Sequence, residues 1–250
     1  MNNSIRRLIE GRHICNLLIT IIIVLTISSL GNADSVEYVQ VQDLKIFDPI
    51  QKGQYWDIKA FQAKEESDDI PSRLCFCKSD NPSSDCFDAK ASTEQGTYNF
   101  QFVEQLSIAT IVVNKLPTQA ALFVSEFHHE GGSGSLRLIT LWAYRDDTQK
   151  FDNVLPKVLL SEQGEYRLIS HENVFNEAFV TADYIWGENE THFSPHRFKI
   201  KIYVFNEDDK SFLLKAEYTT KLKYKSLDDV DKKQMNIIGH ELKQIKGIIN

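Results

Sequence analysis

The sequence predicts a mainly β protein: an antiparallel sheet, arranged as a sandwich, a partly open barrel or an incomplete propeller, with a signal helix at its N-terminus and an amphipathic helix at its C-terminus. Three observations carry this. Apolar and polar residues alternate along Phe198–Phe205, the period of a half-buried strand. Leu106–Val113 and Ala120–Phe127 are apolar blocks rich in β-branched or aromatic residues, the composition of core strands. Two segments about sixty residues apart share one build of strand, charged turn and strand: Leu136–Tyr144 with Arg145–Lys150 and Phe151–Leu160, then Phe198–Phe205 with Asn206–Lys210 and Ser211–Tyr224.

The chain opens with Arg6, Arg7 and Arg12 against the single acid Glu10, followed by the apolar run Leu17–Leu25, broken only by Thr20, and the small-residue exit Gly31-Asn32-Ala33. A basic segment, an apolar segment and small residues in that order form an export signal, cleaved after Ala33. The competing expectation is an uncleaved anchor through residues 14–30, close to the roughly 20 apolar residues of a spanning helix. Either form leaves the remainder exported, in the periplasm or secreted, and touching a membrane only if the segment is uncleaved. The expected organisation is a signal peptide over 1–33, a β-rich domain over 34–226 and a C-terminal helix over 227–250.

Val36–Phe47 and Gln54–Ala63 alternate loosely and read as early edge strands. Residues 65–95 are polar and show no sustained period, so a long excursion is expected there, pinned by a disulfide. Near the C-terminus Val230, Met235, Ile238, Leu242, Ile245 and Ile249 recur at helical spacings, with acids leading and lysines trailing as the helix dipole favours. Such a helix packs on the sheet or docks on a partner.

The chain has 28 basic and 35 acidic residues; without the leader's three arginines and one glutamate, 25 and 34 are left, a net charge of −9. That balance, with no basic cluster interleaved with aromatics, removes the electrostatic term nucleic-acid binding needs. Cys75, Cys77 and Cys86 lie within twelve residues around Asn81-Pro82, and in an oxidising compartment Cys75 or Cys77 is expected to pair with Cys86. Three cysteines with a histidine also form a zinc set, although the strong C-x-x-C spacing is absent.

Four histidines fall in two short segments. His128 and His129 precede the glycine-rich stretch 131–135; His192 and His196 follow Glu188 and Glu190. If the strands after these segments are neighbours, His128, His129, Glu190, His192 and His196 can converge on zinc or another divalent metal. The bland alternative is histidines that fix loop geometry by hydrogen bonding. Pro195 breaks the helix that an H-E-x-x-H site requires, and the glutamate is misplaced for it. Gly131–Ser135 lacks the final glycine of a nucleophile elbow and the lysine of a phosphate loop, which leaves a hairpin connection. Asn189-Glu190-Thr191 fits a glycosylation acceptor.

Two functional readings follow. The leading one is an exported, non-catalytic β-rich binding protein, needing no cofactor, whose partner is a protein or another envelope-surface component. The alternative is a metal-dependent hydrolase using residues 128–130 and 190–196.

Overall fold

In the computed structural model of this chain the described residues are 36–48, 53–65, 67, 69–78, 84–113, 116–128, 135–162, 164–171, 174–191, 194–225 and 236–249. The expected export signal lies outside them, and among them no helix is long and apolar enough to cross a membrane.

The described strands form three sheets. The first is antiparallel, β1 (Tyr38–Phe47), β2 (Tyr55–Ala63), β3 (Arg73–Lys78) and β4 (Ser84–Asp88), in that spatial order. A small hairpin follows, β5 (Lys90–Thr93) with β6 (Gly96–Asn99). The large sheet contains β7 (Phe102–Val113), β8 (Leu116–His128), β9 (Ser135–Arg145), β10 (Lys150–Asn153), β11 (Leu160–Glu162), β12 (Glu165–His171), β13 (Val174–Ile185), β14 (Arg197–Asn206) and β15 (Ser211–Thr219). Its order is β10-β9-β8-β7-β13-β14-β15; β11 also pairs with β9, and β12 with β13. The helix α1 spans Ile237–Ile249.

Alternation along β8 explains the layering. Ala120, Leu122 and Val124 enter one apolar cluster, while Ala121 and Phe123 enter another. A strand buried on both faces needs a cover on each side. On one side the cover is the first sheet, through Ile46, Ile58, Leu74 and Phe76. On the other it is the second half of the large sheet, through Phe179 of β13, Tyr203 of β14 and Phe212 of β15. Among the described residues the two halves join through a parallel bridge, Ile111 to Asn176, and through their shared core the second half faces back over the first. The opposite face of β13 and β14, with Val180, Ala182, Phe198, Ile200 and Ile202, is covered by Ile237, Ile238 and Ile245 of α1. The result is a layered sandwich, and the described strands close no barrel.

Polar side chains complete the joints between layers. The Gln42 Oε1 accepts from the Leu106 N–H at 2.6 Å and the Gln62 Oε1 from the Val103 N–H at 3.3 Å, so glutamines of the first sheet serve the backbone of β7 around its bulge. The Phe212 N–H donates to the Val154 carbonyl at 2.7 Å, tying the two halves of the large sheet. At Gly164 a Cβ would stand 2.1 Å from the Ala182 carbonyl oxygen, so no larger residue fits without moving β13. The N-terminus of α1 is met by Glu165 of β12, whose Oε2 accepts from the Ile238 N–H at 3.0 Å. Its first turn holds no acid of its own; the leading acids expected from the sequence, Asp228, Asp229 and Asp231, lie outside the described residues. A distant carboxylate supplies the dipole complement instead.

Two local expectations are corrected, and one element went unforeseen. Residues 65–95 are no excursion, because β3, β4 and β5 lie there; Leu74 and Phe76 point inward from a strand too short to show a period. The return strand expected over Phe151–Leu160 is interrupted: Val154, Leu155 and Leu159 leave β10 to enter the core before β11 forms. The hairpin β12–β13 carries no turn signal in the sequence strong enough to have marked it.

The disulfide joins Cys75 to Cys86, which stand directly opposite in the β3–β4 register with Cα atoms 4.1 Å apart. Cys77 faces Ser84 and stays a thiol. Cys86→Ser is expected to lower unfolding stability by about 3 kcal/mol, the chain-entropy value for a loop of this size, whereas Cys77→Ser leaves it unchanged in urea melts. Equal losses in both variants would refute this pairing.

Candidate functional site

The histidine segments are built into separate hydrogen-bonded groups. His128 ends β8; its Nε2 lies 3.2 Å from the Glu126 Oε2, and its ring stacks on Phe102. His196 is fully buried just before β14, exchanges two backbone hydrogen bonds of 2.7 Å with Tyr224, and has its Nδ1 3.0 Å from the Glu190 Oε2. Its Nε2 is buried with no hydrogen-bond partner, and the ring packs edge-on against Tyr184 and Trp186.

Glu190 is the knot of that loop. Its Oε1 accepts from the Lys223 ammonium at 2.6 Å and its Oε2 from the Gly187 N–H at 2.8 Å, where a Cβ would stand 2.7 Å from the carboxyl carbon. The Lys223 hydrogen bond, then the Gly187 N–H, hold the carboxyl down at about 2. The arrangement fastens residues 186–196 to residues 220–225. His129 and His192 lie outside the described residues, and among the described residues no three His, Cys, Asp or Glu side chains are grouped to hold a metal ion. In a lock of this kind, His196→Ala lowers the melting temperature and speeds proteolysis within 187–195, with metal content unchanged. Loss of a stoichiometric metal with the fold intact would instead establish a ligand.

A second charged cluster links three adjacent strands. The Arg137 Nε of β9 donates to Glu104 of β7 at 2.7 Å and to Glu126 of β8 at 2.9 Å, and its Nη1 donates to the Gly164 carbonyl at 3.2 Å. Burial raises the Glu104 carboxyl above its usual range against the lowering pull of Arg137, and the neighbouring Glu126 adds to the rise. A raised carboxyl favours the folded state when protonated. Its contribution is therefore complete below the ordinary glutamate pKa and is lost as pH rises through the raised value. Glu104→Gln should remove the loss of stability that this group contributes as pH rises above the ordinary glutamate pKa, read from urea melts at acid and at neutral pH. Arg137→Ala should cost roughly 2 kcal/mol at pH 7, a buried-pair loss discounted for partial exposure, and less at pH 5. A larger cost at pH 5 would contradict this.

The feature that sequence reading missed is a cavity of about 430 Å³ at the turn end of the sandwich, lined by the β7–β8 end, the β9–β10 turn and the β14–β15 turn. Val113, Ala143, Val154 and Phe205 form its apolar walls, and all four belong to or pack against the cluster between the two halves. Leu116, two-thirds exposed, stands at its edge. The two charged turns have matching form: each is four residues long and ends on a non-glycine residue of positive φ, Gln149 at 55° and Lys210 at 48°. They meet at Asp147, which accepts from the Arg145 Nε at 3.1 Å, from its Nη2 at 2.7 Å and from the Lys210 Nζ at 3.2 Å. The Arg145 hydrogen bonds, then that of Lys210, hold the Asp147 carboxyl well below the usual range. The repeated strand–turn–strand pattern was the available signal; its spatial meaning is two facing units whose turns share one rim.

No family model matches the sequence, and no curated protein matches it. Among solved structures, the crystal structure of CarG is similar at 16% identity and a TM-score of 0.35, over 51% of this chain and 93% of that one. A likeness of that size carries no functional argument.

Proposed function

We propose that this protein is an exported, non-catalytic β-rich binding module that receives an apolar group of its partner in the cavity between the β9–β10 and β14–β15 turns. The cavity itself carries the reading: about 430 Å³ lies within the range of small-ligand sites, and its apolar walls with a few converging polar groups have the composition of such sites. Loop ends of a rigid β scaffold are also where binding residues concentrate. The Cys75–Cys86 disulfide and the basic-then-apolar N-terminal segment support an oxidising, extracytoplasmic setting.

Edge-strand pairing with a partner is less well supported. β15 is one edge of the large sheet, with Leu213 and Leu214 exposed, but a bulge interrupts its register opposite Ile202 and Tyr203, and Lys215 sits at that bulge. Both devices discourage strand addition.

Fluorescence titration with the neutral probe N-phenyl-1-naphthylamine tests the reading. One saturable site is expected, abolished by Val113→Trp, which fills the cavity, and retained by Trp186→Ala in the distant loop. No saturable binding, or unimpaired binding by a folded Val113→Trp variant, overturns it.

A further inference from the structure

The cavity carries one charge on its lining that the fold does not use. Arg145 and Lys210 both point their cations at Asp147, and Arg145 also lies 3.4 Å from Asp152, so neither base is left to attract an anion. Asp146 lines the same cavity, is exposed, and among the described residues no hydrogen bond or ion pair engages its carboxylate.

The surroundings have the same sign. The two turns and their flanks hold six carboxylates, Asp146, Asp147, Asp152, Glu207, Asp208 and Asp209, against the three bases Arg145, Lys150 and Lys210. Fields from a one-sided charge distribution add at a concave mouth with low-dielectric walls. The apolar walls beneath give the other half of the specification, because they accept a hydrocarbon group and offer it no polar partner.

Resting on the binding reading above, we propose that the ligand is a small organic cation, an ammonium or amidinium group on an apolar body, with the body between Val113, Val154 and Phe205 and the cation at Asp146. Approach of such a ligand leaves the Arg145–Asp147–Lys210 contacts in place. An anionic amphiphile of the same body would have to displace Asp147 from two bases before gaining either.

Competition against N-phenyl-1-naphthylamine, using octylammonium, octanol and octanoate, isolates the head group because the chain is constant. The expected order is octylammonium, octanol, octanoate, with octylammonium about fivefold tighter than octanol, the upper end for one exposed ion pair. Asp146→Asn should abolish that advantage and leave octanol unchanged, and 0.5 M salt should shrink it by screening. Equal displacement by all three, or an octylammonium preference that survives Asp146→Asn, overturns the cation assignment while the cavity reading stands. Failure of the neutral probe itself to bind brings down both.

Discussion

The double burial of β8 is the constraint from which the architecture follows. Its central residues, Ala120–Val124, expose almost nothing on either face, so its alternation feeds two cores at once. Every backbone polar group in such a strand must be paired, and β7 and β9 pair with it on both sides over most of its length. Two separate layers are then required to keep its side chains dry. The first sheet meets one demand, and the refolded half of the large sheet meets the other. Full burial of one such side chain, Phe123 for example, contributes about 1.5–3 kcal/mol, so the loss of either layer exposes several contributions of that size together.

The layers are held in register by polar groups placed where apolar packing cannot specify position. Arg137 fixes β7, β8 and the start of β12 to one guanidinium; Glu165 fixes α1 to β12. Asp183 acts similarly between β11 and β13, which share no ladder: the Ser161 hydroxyl donates to it at 2.7 Å, and Lys201 lies 3.5 Å away. Burial raises the Asp183 carboxyl, and that hydroxyl together with Lys201 limits the rise. On the outer side, the Glu241 carboxylate of α1 accepts from the Tyr218 and Tyr224 hydroxyls, and both phenols are raised by burial first, Tyr224 to about 12. These contacts are specific because a buried donor or acceptor without its partner costs more than the hydrogen bond itself contributes.

Much of this was legible in local pattern and little of it in long-range arrangement. The strict alternation of Phe198, Ile200, Ile202 and Val204 gave β14 nearly to its ends, since one dry face imposes a period of two. The continuous apolar block in β8 announced burial without saying what covered it. Leu74 and Phe76 were hidden among cysteines and polar residues because two inward positions establish no period. The cysteine cluster predicted a disulfide, yet only register chooses Cys75 over Cys77. His196 and Glu190 were visible as a pair of chemically capable residues; that they lock a loop depends on Gly187, Lys223 and Tyr224, which no spacing rule brings to them. The cavity had a trace in the twin charged turns. Its existence depends on the two halves facing each other across their shared core, joined by the Ile111–Asn176 bridge and the Phe212–Val154 hydrogen bond.

The functional account therefore stands on the layering: the cavity at the turn end exists only because two halves of one sheet meet across a shared core. Native-state hydrogen exchange followed by mass spectrometry tests that layering most directly. The account predicts slow exchange in Ala120–Val124 of β8, Leu138–Leu141 of β9 and Ala178–Ala182 of β13, stretches covered on both faces, with β1 and β15 exchanging much faster. Exchange of Ala120–Val124 as fast as that of β1 would contradict it.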